Sequence, residues 1–214
     1  RVHVTLKLAV SANGKIGRRD GLQVPITGEI TRRQVHALRA QSDVILVGVG
    51  TAINDDPDLT CRLPGLEDRS PVRLVLDTGL RLPVTSRLAL SARTVPLWIA
   101  TAAAQDHPAR AALAAAGAEF IASDAHDGRL ALPELLEDLA ARGMSTVLVE
   151  GGAEVARAFL DEDLVDRIVL LTGEGTIDGE AVDAPVTART MPGTFRQVQT
   201  MTYGPDRMDE YERA

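Results

Sequence analysis

Short apolar runs alternate with amphipathic stretches along this chain, and this alternation limits the fold more than any other feature. Residues 44–47 are four consecutive aliphatic side chains, a pattern typical of a strand that is covered on both faces. Thr27 is predicted as the N-cap of a helix that runs to about Gln41, with Ile30, Val35 and Leu38 on its buried face. Strands that alternate with helices pair in parallel through right-handed crossovers. The sequence therefore predicts an α/β fold with a largely parallel sheet.

Other segments of the chain repeat this pattern. Further strands are predicted at residues 2–10, 72–76, 97–100, 119–122, 145–149 and 165–171, and further helices at residues 105–116, 133–143 and 152–160. Residues 194–202 and 207–213 are predicted to pair antiparallel around the turn at Tyr203-Gly204-Pro205. Because no internal repeat or change of composition divides the chain, we expect one domain over residues 1–214.

The composition narrows the classes of function. The chain has 30 acidic and 23 basic residues, a net charge of −7, so we expect neither a nucleic-acid partner nor a membrane surface. Cys61 is the single cysteine, which excludes a disulfide framework and a cysteine-rich zinc site. No apolar run approaches the roughly 20 residues that span a bilayer. We therefore expect a cytoplasmic protein.

Two glycine-rich turns each follow a buried strand. Gly48-Val49-Gly50-Thr51 leads to Asp55, and Glu150 precedes Gly151-Gly152 at the start of a predicted helix. Glycine lets a backbone approach a ligand closely, and ligands of parallel α/β sheets lie at the carboxyl ends of strands. The pair of turns favours a dinucleotide or nucleotide-like ligand. Tight turns with solvated acids are the alternative interpretation.

Three basic residues are candidates for ligand contacts. Arg39 and Arg62 suit a phosphate, because a guanidinium stays charged and binds phosphate with two parallel hydrogen bonds. Lys7 is one of only two lysines and interrupts an apolar strand, where it is a candidate for holding a substrate oxygen or supplying a proton. The alternatives are surface positions for the arginines, and an edge strand or the solvent face of a strand for Lys7. Neither a P-loop motif nor a zinc deaminase signature occurs.

Five sequence blocks, in order, resemble the reductase domain of riboflavin biosynthesis. They are residues 4–17, 26–43, 48–62 with Asp55-Asp56-Pro57-Asp58-Leu59-Thr60-Cys61-Arg62, 73–78 and 149–152. The resemblance implies a three-layer fold like that of dihydrofolate reductase, with a mixed, mostly parallel sheet, helices on its flanks and antiparallel C-terminal strands. It also implies a homodimer, often with a zinc deaminase domain fused ahead of the reductase.

The resemblance assigns roles to individual residues. Lys7 and Glu150 match catalytic positions. Cofactor positions are matched by Ala9, Pro25, Thr51, Asp55, Thr78, Gly151, Gly152, Ala153, Glu154, Val155, Ala156, Arg157 and Ala158, and substrate positions by Gln23, Arg39, Leu59, Arg62 and Glu150. Gln23-Val24-Pro25 departs from the family's Ser-x-Trp, and residues 172–179 depart from the pattern that follows Leu171.

The implied reaction is an NADPH-dependent reduction of 5-amino-6-(5-phosphoribosylamino)uracil to its ribitylamino product. A hydride reaches C1 of the opened sugar, Lys7 or a water that it holds protonates the ring oxygen, and Glu150 orients the hydroxyls. Three alternatives stay open: reduction of the non-deaminated diaminopyrimidinone, a nucleotide-binding module without catalysis, and a general dihydrofolate-type reductase. Nothing in the residues alone selects NADPH over NADH.

Overall fold

A mixed sheet of nine strands runs through the protein, and the computed structural model describes all 214 residues. The strands are β1 (His3–Val10), β2 (Lys15–Arg18), β3 (Val44–Gly48), β4 (Val72–Leu76), β5 (Leu97–Thr101), β6 (Glu119–Ala122), β7 (Ala125–His126), β8 (Arg129–Leu130), β9 (Thr146–Val149), β10 (Arg167–Thr172), β11 (Ala181–Asp183), β12 (Phe195–Tyr203) and β13 (Asp206–Arg213). The helices are α1 (Glu29–Ala40), α2 (Val49–Asp55), α3 (Arg87–Leu90), α4 (Pro108–Ala116), α5 (Leu132–Ala141) and α6 (Ala153–Asp161), with a 3-10 turn at Glu67–Arg69.

The large sheet has the order β12-β13-β10-β1-β9-β3-β4-β5-β6. All neighbours pair in parallel except those that involve β13, which is antiparallel to β10 and to β12. Two small antiparallel pairs, β2 with β11 and β7 with β8, lie outside it. The predicted α/β class, the mostly parallel sheet and the antiparallel C-terminal pair are confirmed.

Both faces of the sheet are covered by apolar packing. Val44 and Leu46 belong to a core cluster of 27 buried residues, whereas Ile45 and Val47 belong to a second cluster of 15 on the opposite face. Successive side chains of a strand point to opposite faces, so an unbroken apolar run buries side chains in both clusters. Burying each such side chain stabilises the folded state by roughly 1.5–3 kcal/mol, so an apolar run of this kind strongly favours a buried strand.

β1 is a central strand, not an edge strand. It pairs with β9 on one side, where Leu6 is opposite Val149, and with β10 on the other, where Lys7 is opposite Val169. The edge-strand interpretation of Lys7 is therefore wrong. A lysine at the centre of a sheet needs a local reason for its charge, and the reason lies at the end of β9.

The start of α1 differs from the prediction. Its N-cap is Gly28, not Thr27, and no side chain of the neighbouring residues caps the helix. Instead, the buried carboxylate of Asp206 accepts hydrogen bonds from the Gly28 N–H at 2.7 Å and from the Thr31 hydroxyl at 2.5 Å. A residue far along the chain thus fixes the start of the helix by binding its N-cap residue and a hydroxyl of its first turn.

A close backbone approach holds the segment ahead of α1 in place. Gly173 directly follows β10 and donates its N–H to the Val10 carbonyl. A Cβ atom at Gly173 would lie 1.8 Å from the carbonyl oxygen of Ile26. Only glycine fits at this position.

None of the helices has the length and apolar character needed to cross a membrane.

Candidate active site

The two glycine-rich turns lie side by side, because β3 and β9 are neighbours and end at the same edge of the sheet. The Gly152 N–H donates to the Thr51 hydroxyl at 3.1 Å. A Cβ atom on Gly48 or on Gly151 would lie 2.7 Å from the side chain of Val155. The glycines are thus required for packing the turns against α6, and the Thr51 hydroxyl joins the turns.

A buried cluster of three charged side chains, the triad Lys7, Arg39 and Glu150, lies beside these turns. The carboxylate of Glu150 accepts two hydrogen bonds from Arg39, from Nε at 2.8 Å and from Nη2 at 2.9 Å. The ammonium of Lys7 lies 3.6 Å from Oε2 of the same carboxylate. The exposed fractions of the side chains are 7% for Glu150, 12% for Arg39 and 15% for Lys7. β1, α1 and the end of β9 therefore bring together three residues that the sequence singled out.

Glu150 and Arg39 stay ionised across the neutral range. Burial alone would raise the pKa of Glu150, but the charges of Lys7 and Arg39 outweigh it and lower the pKa to about 2. Burial likewise works to lower the pKa of Arg39, and the Glu150 carboxylate overcomes it and raises that pKa. The site consequently contains a fixed carboxylate and a fixed guanidinium.

The lowered pKa of Glu150 predicts a loss of stability in acid. An unfolded glutamate titrates near 4.5, so below that pH the unfolded chain takes up a proton that the folded chain does not. The stabilisation is present above pH 4.5 and is lost as the pH falls towards 2. We expect a loss of about 2 kcal/mol by pH 3. Urea unfolding at pH 3 and pH 6 measures this loss. It should vanish in Glu150→Gln and persist in Glu137→Gln, which changes an exposed glutamate of α5.

A backbone segment ahead of Arg62 is held by the same helix. Arg39 Nη1 donates to the Thr60 carbonyl at 3.1 Å, and the Arg62 N–H donates to Nδ1 of His36 at 3.2 Å. The same Nδ1 lies 3.1 Å from the Thr60 carbonyl, so it accepts from the Arg62 N–H in one tautomer and donates to that carbonyl in the other. Burial and the charges of Arg39 and Arg62 lower the pKa of His36. Sequence reasoning missed His36, although its place one turn before Arg39 on α1 was a signal for it.

Three cavities lie on this side of the protein. The first, of 470 Å³, is bordered by the turn Gly48–Gly50, the end of β4 and one side of α6. The second, of 700 Å³, is bordered by residues 16–25 and the end of α2, and the third, of 360 Å³, by residues 57–59. Arg39 lines both the second and the third cavity, whereas Lys7 and Glu150 line none of the three, so the cluster reaches these cavities through Arg39.

The predicted site residues divide among these cavities. The first is lined by Thr78, Glu154, Val155 and Ala158, the second by Gln23, Pro25, Arg39 and Asp55, and the third by Arg39, Leu59 and Arg62. The remaining predicted cofactor residues are not among the lining residues: Ala9, Thr51, Gly151, Gly152, Ala153, Ala156 and Arg157. Ala156 is fully buried in the core, whereas Gln23 contacts the end of α2 by donating to the Asp55 carbonyl at 3.2 Å.

The first and third cavities contain three arginines that the sequence did not single out, and the second contains two more, Arg18 and Arg32. Arg81 and Arg129 line the first cavity, and Arg87 lines the third. Each lies in or beside a loop among 21 arginines, so no periodicity or spacing distinguishes it in the sequence. No group of three or more His, Cys, Asp or Glu side chains is arranged to hold a metal ion.

Comparison with known families identifies the family of this chain. The family described as the RibD C-terminal domain matches residues 2–206. The chain belongs to this family. The match spans the triad, both glycine-rich turns and all three cavities, and it confirms the predicted resemblance to the reductase domain of riboflavin biosynthesis.

Relatives of this RibD C-terminal domain include long and short proteins. The riboflavin biosynthesis protein RibD of Bacillus amyloliquefaciens is 39% identical over 78% of this chain and 44% of its own length. The 2,5-diamino-6-ribosylamino-4(3H)-pyrimidinone 5′-phosphate reductase of Methanothermobacter thermautotrophicus is 30% identical over 99% of this chain and 98% of its own. The chain thus spans about half the length of the RibD relatives that it matches.

A solved structure confirms the fold of the domain. The deaminase/5-amino-6-(5-phosphoribosylamino)uracil reductase of Thermotoga maritima superposes with a TM-score of 0.81 and 28% sequence identity. The superposition covers 100% of this chain and 57% of that protein. The three-layer architecture predicted from the resemblance is therefore present over the whole chain.

Proposed function

We propose that this chain catalyses the NADPH-dependent reduction of 5-amino-6-(5-phosphoribosylamino)uracil to its ribitylamino product. The observation that carries the proposal is the buried triad of Lys7, Glu150 and Arg39, whose Arg39 lines two cavities. An ammonium beside a carboxylate suits a sugar, because one donates hydrogen bonds to its oxygens and the other accepts them from its hydroxyls. The reductase names of the relatives support the same reaction type.

The residues of the triad have separate tasks in this proposal. When bound, NADPH supplies the hydride for C1 of the sugar. The bond between C1 and the ring oxygen breaks as the imine forms, and Lys7, or a water that it holds, protonates that oxygen. Glu150 accepts hydrogen bonds from the sugar hydroxyls and orients the opened chain. Arg39 keeps Glu150 ionised and in place.

The substrate before deamination is the second candidate. The Methanothermobacter relative, which this chain matches over nearly its whole length, is named for the diaminopyrimidinone. The two substrates differ only in the base, so the triad serves both. The test is oxidation of NADPH by the purified chain with each substrate, with the ribitylamino product identified by mass spectrometry. Absence of oxidation with both would overturn the catalytic proposal in favour of a nucleotide-binding module.

The choice of NADPH over NADH rests on the first cavity. The guanidiniums of Arg81 and Arg129 line it together with Thr78 and make no hydrogen bond within the chain. Three acidic residues, Asp127, Glu154 and Glu162, also line this cavity, so the place for a phosphate is directly beside the two guanidiniums, which have no carboxylate partner. These residues fit the adenosine end of NADPH with its additional 2′-phosphate.

Removing Arg81 and Arg129 is expected to abolish the preference for NADPH over NADH. We expect Arg81→Ala combined with Arg129→Ala to raise the KM for NADPH by roughly tenfold to a hundredfold, because charge-assisted hydrogen bonds to the phosphate are lost. The KM for NADH should stay within a factor of about two, as NADH lacks that phosphate. Steady-state kinetics with both cofactors, using Arg33→Ala on α1 as the control, measures the difference; an equal rise for both cofactors would contradict the assignment.

The proposal also covers assembly and location. We propose that residues 1–214 act as one reductase domain in a cytoplasmic homodimer, with a zinc deaminase domain elsewhere in a longer chain. The Thermotoga relative, a deaminase/reductase of which this chain covers 57%, supports the fusion. The outer edge of β12 is unpaired, and pairing with a second copy would satisfy its backbone groups. Sedimentation of the purified chain tests the dimer.

A further inference from the structure

The third cavity has the densest positive charge of the three, because it has three arginines and one aspartate in 360 Å³, whereas the second has the same balance in 700 Å³. Its 360 Å³ are lined by three arginines, one aspartate and two uncharged residues: Arg39, Arg62, Arg87, Asp58, Pro57 and Leu59. Three guanidiniums against one carboxylate leave an excess of positive charge at its wall. Such a wall attracts an anion, and the planar guanidinium matches the geometry of phosphate oxygens.

Arg39 is the least available of the three arginines. Its Nε and Nη2 donate to Glu150, and its Nη1 donates to the Thr60 carbonyl. Three of its five N–H groups point towards partners that hold the guanidinium in the triad. A ligand anion in the third cavity must therefore obtain most of its hydrogen bonds from elsewhere.

Arg62 and Arg87 have the free donors. Arg62 Nη1 and Arg87 Nη2 both donate to the same oxygen of Asp58, at 2.7 Å and 2.6 Å. Neither guanidinium makes another hydrogen bond within the chain. The two side chains are 57% and 58% exposed, so their remaining N–H groups face the solvent-filled cavity.

The position of Arg87 is built by its surroundings. Asp56 accepts a hydrogen bond from the backbone N–H of Arg87 at 2.8 Å, and Asp58 holds the guanidinium. Beneath them, the fully buried Arg73 donates to the Asp58 carbonyl at 3.4 Å and to the Leu88 carbonyl at 3.3 Å. The loop and the start of α3 are thus held together, and Arg87 is directed at the cavity before any ligand arrives.

We propose that Arg87 binds the 5′-phosphate of the substrate together with Arg62, while the partner assigned from the sequence, Arg39, mainly holds Glu150. This inference rests on the proposed function, since it names how the substrate of that reaction is held. The sugar then lies at the triad, and its phosphomonoester enters the third cavity past Arg39. Two guanidiniums that share one carboxylate present a preformed cradle for the dianion.

The kinetic test compares substrates with and without the phosphate. We expect Arg87→Ala to raise the KM for the phosphorylated substrate by about tenfold and to leave the kcat and the KM for NADPH unchanged. For the dephosphorylated substrate, the variant and the parent should be equal. Arg87→Lys keeps the positive charge but not the bidentate hydrogen bonds of a guanidinium, so its KM for the phosphorylated substrate should lie between those of the parent and Arg87→Ala. Equal losses on both substrates, or none, would overturn the proposal.

A binding test separates this proposal from the reaction itself. Ribose 5-phosphate and ribose are titrated calorimetrically into the chain without cofactor. We expect Arg87→Ala to weaken ribose 5-phosphate binding by about tenfold, with Arg33→Ala, whose guanidinium is exposed and paired with Glu29, equal to the parent. Unchanged ribose 5-phosphate affinity in Arg87→Ala would overturn the role of Arg87 even if the reaction occurs. Loss in Arg87→Ala alone would support it even if turnover of the pyrimidine fails.

Discussion

Glu150→Gln is expected to lower kcat/KM for the pyrimidine substrate by roughly a hundredfold to ten-thousandfold, the range over which positioned acid–base groups contribute. The substitution keeps the size of the side chain and removes its charge. Lys7 and Arg39 then lose the carboxylate that holds them, at 3.6 Å and 2.8 Å. The sugar loses an acceptor, and the proton donor loses its fixed direction. Lys7→Ala should cause a loss of the same order by removing the donor itself.

Matched variants make this result specific. Lys15→Ala changes the only other lysine, which pairs with exposed Asp183, and Glu137→Gln changes an exposed glutamate on α5. Both should keep the turnover of the parent. Binding of NADPH, followed by fluorescence titration, should change little in Glu150→Gln, because the residue does not line the first cavity. Near-parent turnover in both Lys7→Ala and Glu150→Gln would remove the triad from the mechanism.

Gly173→Ala is expected to lower the free energy of unfolding by about 1–3 kcal/mol or more and to reduce activity with it. The added methyl group would lie 1.8 Å from the Ile26 carbonyl oxygen, and a backbone atom cannot rotate away as a flexible side chain does. The segment before α1 must move. Gln23 and Pro25 on that segment line the second cavity, so the displacement should raise the substrate KM as well.

Gly175→Ala is the matched control for this experiment. No atom lies within 4 Å of a Cβ placed on Gly175, two residues further along the same segment. Its unfolding curve and kinetics should stay close to those of the parent. Urea unfolding together with steady-state kinetics on both variants decides the matter. If Gly173→Ala and Gly175→Ala behave alike, the contact with Ile26 does not constrain the site.

Local patterns predicted the parts of this protein that depend on neighbouring residues. The run at residues 44–47 predicted a strand buried on both faces, and the glycine-rich sequences predicted tight turns at the carboxyl ends of β3 and β9. In each case the signal lies within a few residues, where side-chain periodicity and backbone freedom act directly.

Long-range contacts explain what the sequence did not predict. Asp206 replaces the expected Thr27 cap of α1, and no local rule connects residues so far apart. Arg81, Arg87 and Arg129 are exposed arginines whose significance comes only from the cavities that they line. Catalytic positions for Lys7 and Glu150 were expected from family resemblance, but their ion pair and their shared burial with Arg39 came from the folded arrangement.

The central place of β1 also determines when the triad can form during synthesis. His3 pairs with Thr146 and Thr5 pairs with Arg167, so the strand that carries Lys7 waits for partners translated long after it. Asp206, which fixes the start of the helix that carries Arg39, is translated later still. Closing such long loops is slow compared with forming local structure. We therefore expect a nascent chain on the ribosome to lack the assembled triad until the last strands emerge.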